Sequence, residues 1–257
     1  MNSGIKGSHP VVRAIVSAAE RLASSQVAIL IIGERGTGKE LLARHLHLVG
    51  SGPEAPFVRI DCNEGSLVRL EQTLFDRAAG VERAHGGTLF LDELGALPLD
   101  LQERLLAALE GGPSRPRVVA SCANEADDEC RLGRLSDALR RHLDPVELLV
   151  PSLRQRRADI PVLVEHFLTT YAERHGIGAC RFDTDALVHL WQYDWPGNVR
   201  ELENVVERVV VLCRTGLIRT ADLPPQVLSA ICTPRAIAPR PRVTTTITAG
   251  PVLRPPQ

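Results

Sequence analysis

A glycine-rich segment at residues 33–39, GERGTGK, has the composition and position of a phosphate-binding loop. It follows an apolar run at 27–32 and precedes a helical pattern at 39–49, which is the order such loops require. Glycines let successive backbone N–H groups and the helix N-terminus face phosphate oxygens, and Lys39 adds a positive charge. The alternative is a plain glycine-rich turn. The residues predicted to surround phosphates are Gly33, Glu34, Arg35, Gly36, Thr37, Gly38, Lys39 and Glu40.

Two adjacent carboxylates, Asp92 and Glu93, directly follow an apolar run at 88–91. A carboxylate at the C-terminal edge of a parallel sheet points into the crevice where ligands bind. We expect Asp92 to hold magnesium through water and Glu93 to polarise a water that attacks a γ-phosphate. Alone, such a pair is usually a solvated turn or a helix N-terminus. Combined with the loop at 33–39, it predicts a site for phosphoryl chemistry.

Five short apolar runs supply the elements that would position these residues. Each is bounded by Gly, Pro, Asp or Asn, which favours buried parallel strands. The runs lie at 27–32, 57–60, 88–91, 117–121 and 146–150. Helical patterns at 39–49 and 100–110 alternate with them, and this alternation predicts a layered α/β domain.

After residue 150 the periodicity becomes helical, at 160–175, 184–192 and 199–213, which predicts a small all-helical second domain. We expect Asn198 to cap the third helix, with Glu201 completing a capping box. Beyond about residue 229 the Pro-, Arg- and Thr-rich composition predicts a disordered tail. The predicted units are therefore an N-terminal extension at 1–8, domains at 9–150 and 151–228, and a tail at 229–257.

Composition excludes several classes of protein. With 30 Lys and Arg against 31 Asp and Glu, the net charge of −1 gives no bulk attraction for nucleic acid. No apolar run approaches the roughly 20 residues that span a bilayer, and no secretory leader is visible, so we expect a cytoplasmic protein without membrane contact. The six cysteines form no Cys-x-x-Cys pair, which argues against a zinc site.

The segment WPGNVRELEN at 195–204 resembles the central AAA+ domain of the sigma-54-dependent transcriptional activators, the bacterial enhancer-binding proteins. The resemblance runs from about residue 9 to 228. Further supporting segments are GERGTGKE at 33–40, PFVRIDC at 56–62, GGTLFLDELGALPLDLQ at 86–102 and PSLRQRRADIP at 151–161. The resemblance implies a P-loop AAA+ fold of three layers with a parallel sheet, followed by a helical lid domain. It also implies ATP and Mg²⁺ as cofactors and an oligomeric assembly.

The resemblance also assigns individual roles. It gives residues 33–40 to the nucleotide phosphates, and it explains Glu40, which replaces the usual magnesium-binding hydroxyl, because the family carries Glu there too. It assigns Asp92 to the magnesium ion and Glu93 to the attacking water. Asn124 would sense the γ-phosphate, and Arg200 would reach back from the lid to the phosphates. The alternative for Arg200 is a surface salt bridge with Glu203 or Glu207.

Two segments are shorter than in the family pattern. Residues 76–85 replace a longer loop that contacts the sigma factor, and residues 111–116 replace a longer hairpin. Both normally project toward sigma, so their joint shortening predicts that this contact is lost.

The positions of the neighbouring subunit's arginine fingers are also altered, to Ser136 and His142. Arg140 and Arg141 lie beside the second position. However, each helical residue turns the side chain by about 100°, which argues against their taking over the role. In addition, Asp61 replaces an Asn that restrains the catalytic glutamate, and we expect it to repel Glu93.

These features together predict an ATP-binding regulatory module with weak or no hydrolysis. It would self-associate or pair with an intact AAA+ activator, and it would regulate transcription by protein contact. No helix-turn-helix pattern follows residue 228, so we expect no direct DNA binding. The alternatives are an active ATPase that remodels sigma-54 RNA polymerase, or a regulator that acts on another form of the polymerase.

Overall fold

The computed structural model of the protein describes residues 5–76, 80–110, 115–213 and 216–229. The tail predicted to be disordered, and with it the region searched for a helix-turn-helix, lies outside the described residues except at its start. Parts of the two shortened segments, at 77–79 and 111–114, also lie outside them. Across the described ranges, no helix combines the length and the apolar character that crossing a bilayer requires.

A five-stranded parallel sheet forms the centre of the N-terminal part, in the order β2-β3-β4-β1-β5. The strands are β1 (Ile29–Ile32), β2 (Phe57–Asp61), β3 (Thr88–Asp92), β4 (Arg117–Cys122) and β5 (Val146–Leu149). All five predicted strands are therefore present, with ends shifted by one or two residues. Because parallel strands share a direction, their C-terminal ends lie along one edge of the sheet.

Helices cover both faces of this sheet. They are α1 (Pro10–Ala23), α2 (Lys39–Gly50), α3 (Leu67–Phe75), α4 (Leu99–Glu110), α5 (Ala126–Arg131) and α6 (Asp137–Leu143). Successive residues of β1 point to opposite faces: Ile29 and Ile31 pack with α1 and α2, whereas Leu30 and Ile32 pack with α3, α4 and α6. The predicted three-layer α/β fold is confirmed.

The C-terminal part, here called the lid (residues 153–213 and 216–229), has its own apolar core. Its helices are α7 (Ile160–Arg174), α8 (Thr184–Gln192), α9 (Asn198–Leu212) and α10 (Pro225–Ser229). The prediction of an all-helical unit was wrong in one detail, because two short strands, β6 (Arg181–Phe182) and β7 (Leu217–Ile218), pair in parallel. Two residues in each strand are too few to leave a periodic pattern in the sequence.

The start of α9 differs from the predicted cap. Asn198 adopts a left-handed backbone, with φ of +55°, and its side chain makes no capping hydrogen bond within α9. Instead, its Oδ1 accepts a hydrogen bond from the backbone N–H of Leu153 at 2.8 Å. Glu201 keeps part of the predicted role, because its carboxylate accepts the N–H of Gly197 at 2.8 Å. Asn198 is therefore free to join distant segments rather than to cap its own helix.

Two tryptophans of the lid provide a matched test of its core. Trp195 is fully buried and donates its indole N–H to the carbonyl of Leu190 at 2.8 Å, whereas Trp191 is 50% exposed. We expect Trp195→Ala to lower the free energy of unfolding by about 3–5 kcal/mol, because a large cavity remains. Trp191→Ala should cost under about 1 kcal/mol. Urea denaturation of both variants tests this, and equal losses would contradict the assigned core.

Candidate functional site

The loop at 33–38 joins the end of β1 to the start of α2, as predicted. Gly36 and Gly38 have φ values of +77° and +101°, which glycine adopts at little cost. The Thr37 hydroxyl donates a hydrogen bond to the carbonyl of Glu34 at 2.8 Å and closes the turn. The first N–H groups of α2 have no partner within their helix, so the loop and this helix start form a place for an anion.

Lys39 crosses this loop and connects it to the end of β3. Its side chain is only 6% exposed. The ammonium group donates to the carbonyl of Gly33 at 2.7 Å and contacts the Glu93 carboxylate at 2.9 Å. A buried ammonium group needs such partners, because leaving it unpaired costs several kcal/mol. Lys39 and Glu93, predicted separately from two motifs, thus form one ion pair.

The two predicted carboxylates are held at the C-terminal edge of the sheet by Ser121 of β4. The Ser121 hydroxyl donates to Asp92 at 2.7 Å and accepts the backbone N–H of Glu93 at 2.9 Å. Glu93 has a φ of +58°, a left-handed conformation that is unusual for a residue with a Cβ. Such strain persists where surrounding contacts impose it, often at functional sites. Sequence reasoning missed Ser121, although it is the polar last residue of a predicted apolar strand.

Arg59 on β2 is a second residue that sequence reasoning missed. Its guanidinium group lies 2.6 Å from Asp92, 3.2 Å from Glu40 and 3.6 Å from Asp61. The expectation that Asp61 faces and repels Glu93 is therefore not supported by the contacts. The Asp61 carboxylate lies beside Arg59, and Glu93 is paired with Lys39.

The lid sits directly on the loop. The backbone N–H groups of Val199 and Arg200, at the start of α9, donate to the carbonyl of Gly36 at 2.9 and 3.3 Å. The Asn198 amide donates to the carbonyl of Arg35 at 2.9 Å. Two of these bonds join backbone to backbone and the third joins the Asn198 side chain to the loop backbone, so the start of α9 is fastened directly to the loop.

Charged side chains strengthen the same junction. Arg154 forms a bidentate pair with the Glu34 carboxylate. The hydrogen bond from Arg154 holds the pKa of Glu34 below its usual value, although partial burial opposes it and a hydrogen bond from Asn198 assists it. Glu34 therefore faces the lid, and only its backbone remains a candidate for phosphate contact.

Arg156 is a buried cation in this junction. It is 4% exposed and donates to the carbonyl of Thr37 at 2.8 Å, while its Nε has no partner. Burial lowers the pKa of Arg156, and the charge of Asp159 only partly offsets this effect. The guanidinium group borders the space enclosed by the loop and the lid.

A cavity of about 1050 Å³ lies between the loop, the sheet edge and the lid. Most of the predicted site residues border it: Arg35, Gly36, Thr37, Gly38, Lys39, Glu40, Asp92, Glu93 and Arg200. Apolar side chains also border it: Ile5, Val12, Ile15, Val16, Leu163 and Phe167. Thus, residues of the predicted N-terminal extension contribute to the site.

The structure does not bring Asn124 to this cavity. Its amide donates to Glu129 at 2.7 Å, and Glu129 is almost completely buried. Its position after β4 matches the sequence pattern, but the side chain is turned toward the interior of the protein. A buried carboxylate in reach competes for the amide, and nothing in the local sequence predicts that choice.

Arg200, unlike Asn124, lies at the cavity. It borders the cavity, and no ion pair joins it to Glu203 or Glu207 in the described part of the lid. Glu203 accepts a hydrogen bond from the Tyr171 hydroxyl at 2.7 Å, and Glu207 lies 3.3 Å from His175. The geometry therefore favours the predicted direction over the alternative surface salt bridge.

The altered finger positions lie outside this cavity. Ser136 caps α6 by accepting the N–H of Leu139 at 3.2 Å, and His142 lies 3.4 Å from Glu110. Arg140 pairs with Asp127 at 2.6 Å, and its Nε is buried. Arg141 is exposed. Of the two neighbouring arginines, Arg140 is thus partly buried and paired, whereas Arg141 is exposed.

Family models match most of the chain. The Sigma-54 interaction domain matches residues 5–118, and the AAA+ ATPase lid domain matches residues 154–236. The chain is 35% identical to the sigma54-dependent transcriptional activator SfnR of Pseudomonas putida, over 83% of this chain and 65% of that protein. It is 37% identical to the transcriptional regulatory protein ZraR of Escherichia coli, over 86% of this chain and 55% of that protein.

Solved structures show the same likeness. NtrX from Brucella abortus in complex with ADP superposes with a TM-score of 0.79 at 32% identity, covering 88% of this chain and 56% of that chain. Its complex with ATP also has a TM-score of 0.79, at 33% identity, covering 87% of this chain and 57% of that chain. The chain thus spans about half to two thirds of the length of the relatives it matches.

Two glycines of the loop allow a test of how closely the lid approaches it. A Cβ on Gly36 would overlap the carbonyl of Gly197 and lie 3.1 Å from Cβ of Arg200, whereas a Cβ on Gly38 meets nothing within 4 Å. Both residues have positive φ, so alanine is strained at either position. We expect Gly36→Ala to destabilise the protein by about 1–3 kcal/mol more than Gly38→Ala, because only the first overlaps the lid. Equal urea midpoints for the two variants would refute this close approach.

Proposed function

Because the chain belongs to the AAA+ family of the sigma-54-dependent transcriptional activators, we propose that its cavity binds ATP with Mg²⁺ and hydrolyses it slowly or not at all. We further propose that the chain regulates transcription through contacts with other proteins. The single observation that carries the proposal is that Lys39, the loop and Arg200 of the lid border one cavity.

The cavity is bordered by both polar and apolar residues, which suits the two chemically different parts of a nucleotide. In this proposal, the base lies against the apolar residues around Val12, Ile15 and Phe167. The phosphates lie on the loop, where backbone N–H groups, the start of α2 and Lys39 supply positive potential. Arg200 reaches the phosphates from the lid and senses whether the γ-phosphate is present. The ATP and ADP complexes of NtrX support this choice of ligand.

The residues at the sheet edge suit a divalent cation that is shared with the phosphates. Oxygen ligands are those that Mg²⁺ prefers, and Asp92 and Glu93 provide them. Within the described ranges, no group of three or more His, Cys, Asp or Glu residues is placed to hold a metal ion by itself. Asp92 would therefore hold magnesium through water, with phosphates completing the site. When bound, the ion would neutralise charge on the transferring phosphoryl group.

The proposal of slow hydrolysis rests on the altered arginine-finger positions and on Asn124, the residue expected to sense the γ-phosphate. Loss of a trans arginine typically costs orders of magnitude in phosphoryl transfer. At the two finger positions, Ser136 and His142 make local contacts within α6 and with Glu110. Arg140 is held by Asp127, and Asn124 by Glu129. Glu93, the proposed base, is engaged by Lys39 until phosphates compete for that ammonium group.

The link between α3 and β3 supports regulation by other contacts. In its described part, Val81 and Ala84 pack into the main core, next to a short 3-10 turn at Glu82–Ala84. We propose that this link does not deliver a stroke to sigma-54 and that the chain self-associates or pairs with an intact AAA+ activator. An active ATPase that remodels sigma-54 polymerase is the second candidate, because Lys39, Asp92, Glu93 and Arg200 share one cavity.

The phosphate-loop assignment is tested with Lys39→Ala. We expect ATP with Mg²⁺ to raise the melting temperature of the parent protein by several degrees, since binding to the folded state alone stabilises it. This rise should disappear in Lys39→Ala, because the phosphates lose their main cation. Arg104→Ala removes an exposed cation that pairs with Glu71 on the far side of the sheet and should keep the full rise. An unchanged rise in Lys39→Ala would reject the assignment.

The finger hypothesis is tested by the double variant Ser136→Arg/His142→Arg. We expect its ATP turnover per chain, in concentrated solution, to exceed that of the parent by at least about tenfold, because trans arginines stabilise the transferring phosphoryl group. Ser136→Ala/His142→Ala loses the same local contacts without gaining guanidinium groups and is the control. Phosphate release is measured together with assembly by light scattering.

Two outcomes would contradict slow hydrolysis by finger loss. Unchanged turnover in a normally assembled Ser136→Arg/His142→Arg variant would show that the fingers are not limiting. Parent turnover that rises steeply with protein concentration and vanishes in Lys39→Ala would favour the active ATPase instead.

A further inference from the structure

Arg59 occupies an unusual position at the floor of the cavity. It lies in the middle of β2 and borders the cavity, and its side chain is 35% exposed. One guanidinium nitrogen, Nη2, lies 2.6 Å from Oδ2 of Asp92 and 3.6 Å from Oδ2 of Asp61, while Nε lies 3.2 Å from Oε2 of Glu40. A single cation thus contacts three carboxylates from three different elements.

These contacts favour the charged guanidinium group strongly. Partial burial of Arg59 opposes its charged form, but the hydrogen bond to Asp92 and the charges of Asp92, Glu40 and Asp61 outweigh that effect and raise its pKa. Arg59 therefore remains a fixed positive charge at any physiological pH. Its planar fork suits bidentate contact with carboxylates better than a lysine would.

Both oxygens of the Asp92 carboxylate are occupied in this arrangement. Oδ1 accepts the Ser121 hydroxyl at 2.7 Å, and Oδ2 accepts Arg59 at 2.6 Å. Lys39 is engaged by Glu93 and does not reach Asp92 through any described contact. Arg59 must therefore leave Asp92, or share it, before this carboxylate can hold a divalent cation.

We propose that Arg59 is a built-in counter-cation that stands beside Asp92 when no divalent metal ion is bound, so that the cavity accepts ATP without Mg²⁺ as well as with it. This inference rests on the proposed ATP binding. Arg59 neutralises the acidic floor of the cavity, which would otherwise repel the phosphates in the absence of a metal ion. Asp61 keeps the guanidinium group at this place, which gives the carboxylate at position 61 a function.

The test compares ATP affinity measured by calorimetry in excess Mg²⁺ and in EDTA. In the parent protein we expect the two dissociation constants to agree within about threefold. In Arg59→Ala, affinity in EDTA should fall while affinity in Mg²⁺ is retained, so the ratio of the two constants should rise by about tenfold, the scale of one charge-assisted hydrogen bond. This readout is independent of ATP turnover.

Arg44→Ala is the matched control. Arg44 also pairs with Glu40, at 2.8 Å, but makes no described contact with Asp92. It carries the same charge as Arg59, so its removal alters the total charge equally. In Arg44→Ala we expect the ratio of the ATP dissociation constants in EDTA and in Mg²⁺ to stay at the parent value. A similar rise in both variants would overturn the proposal, because general charge and not the contact with Asp92 would then set the Mg²⁺ dependence.

A second variant keeps the proposal testable if Arg59→Ala does not fold. Asp61→Asn keeps Arg59 and the side-chain size but removes one of the charges that position the guanidinium group, and we expect a smaller rise in the ratio. An unchanged ratio in both Arg59→Ala and Asp61→Asn, with ATP still bound, would overturn this inference alone. Absence of heat in the parent protein in either buffer would overturn the proposed function as well.

Discussion

The carbonyl group of Gly36 is the contact on which the arrangement of the site depends. It accepts two backbone N–H groups from the start of α9, while residues 35–38 of the same loop border the cavity. One short segment therefore joins the sheet, the lid and the candidate phosphate position. Only glycine fits here, since φ is +77° and a Cβ would overlap Gly197. A loop fixed on both sides is preorganised, which reduces the entropy lost when a ligand binds.

Electrostatic balance is the second constraint at this site. Glu40, Asp61, Asp92 and Glu93 all border the cavity. Lys39 of α2 contacts Glu93, Arg59 of β2 contacts the other three, and Arg44 of α2 also pairs with Glu40. Four carboxylates without partners would repel one another and any phosphate. The observed pairs Lys39–Glu93 and Arg59–Asp92 remove that repulsion. They also mean that the residues proposed for catalysis start in partnered states, from which an incoming anionic ligand would have to displace them.

The sequence predicted the fold and the backbone part of the site well, for identifiable reasons. Strands such as β1 and β4 are buried on both faces, so their composition alone indicates them. A glycine-rich turn between strand and helix constrains its own geometry. Residues Lys39, Asp92 and Glu93 could therefore be placed at one edge of the sheet from the order of elements alone.

Side-chain partners were harder to predict, because they depend on which groups the fold brings together. Asn124 follows β4 as expected, but the buried carboxylate of Glu129, five residues later, binds its amide. Asn198 has the sequence position of a helix cap, yet it connects Leu153 to Arg35. Arg59 stands in a predicted strand, and its contacts form only because the fold brings Asp92 and Glu40 beside it. In each case a partner that the fold brings into reach outweighed the pattern of neighbouring residues. The same competition governs the proposed chemistry, since phosphates that bind Lys39 would weaken its contact with Glu93 and release the carboxylate that a water molecule needs.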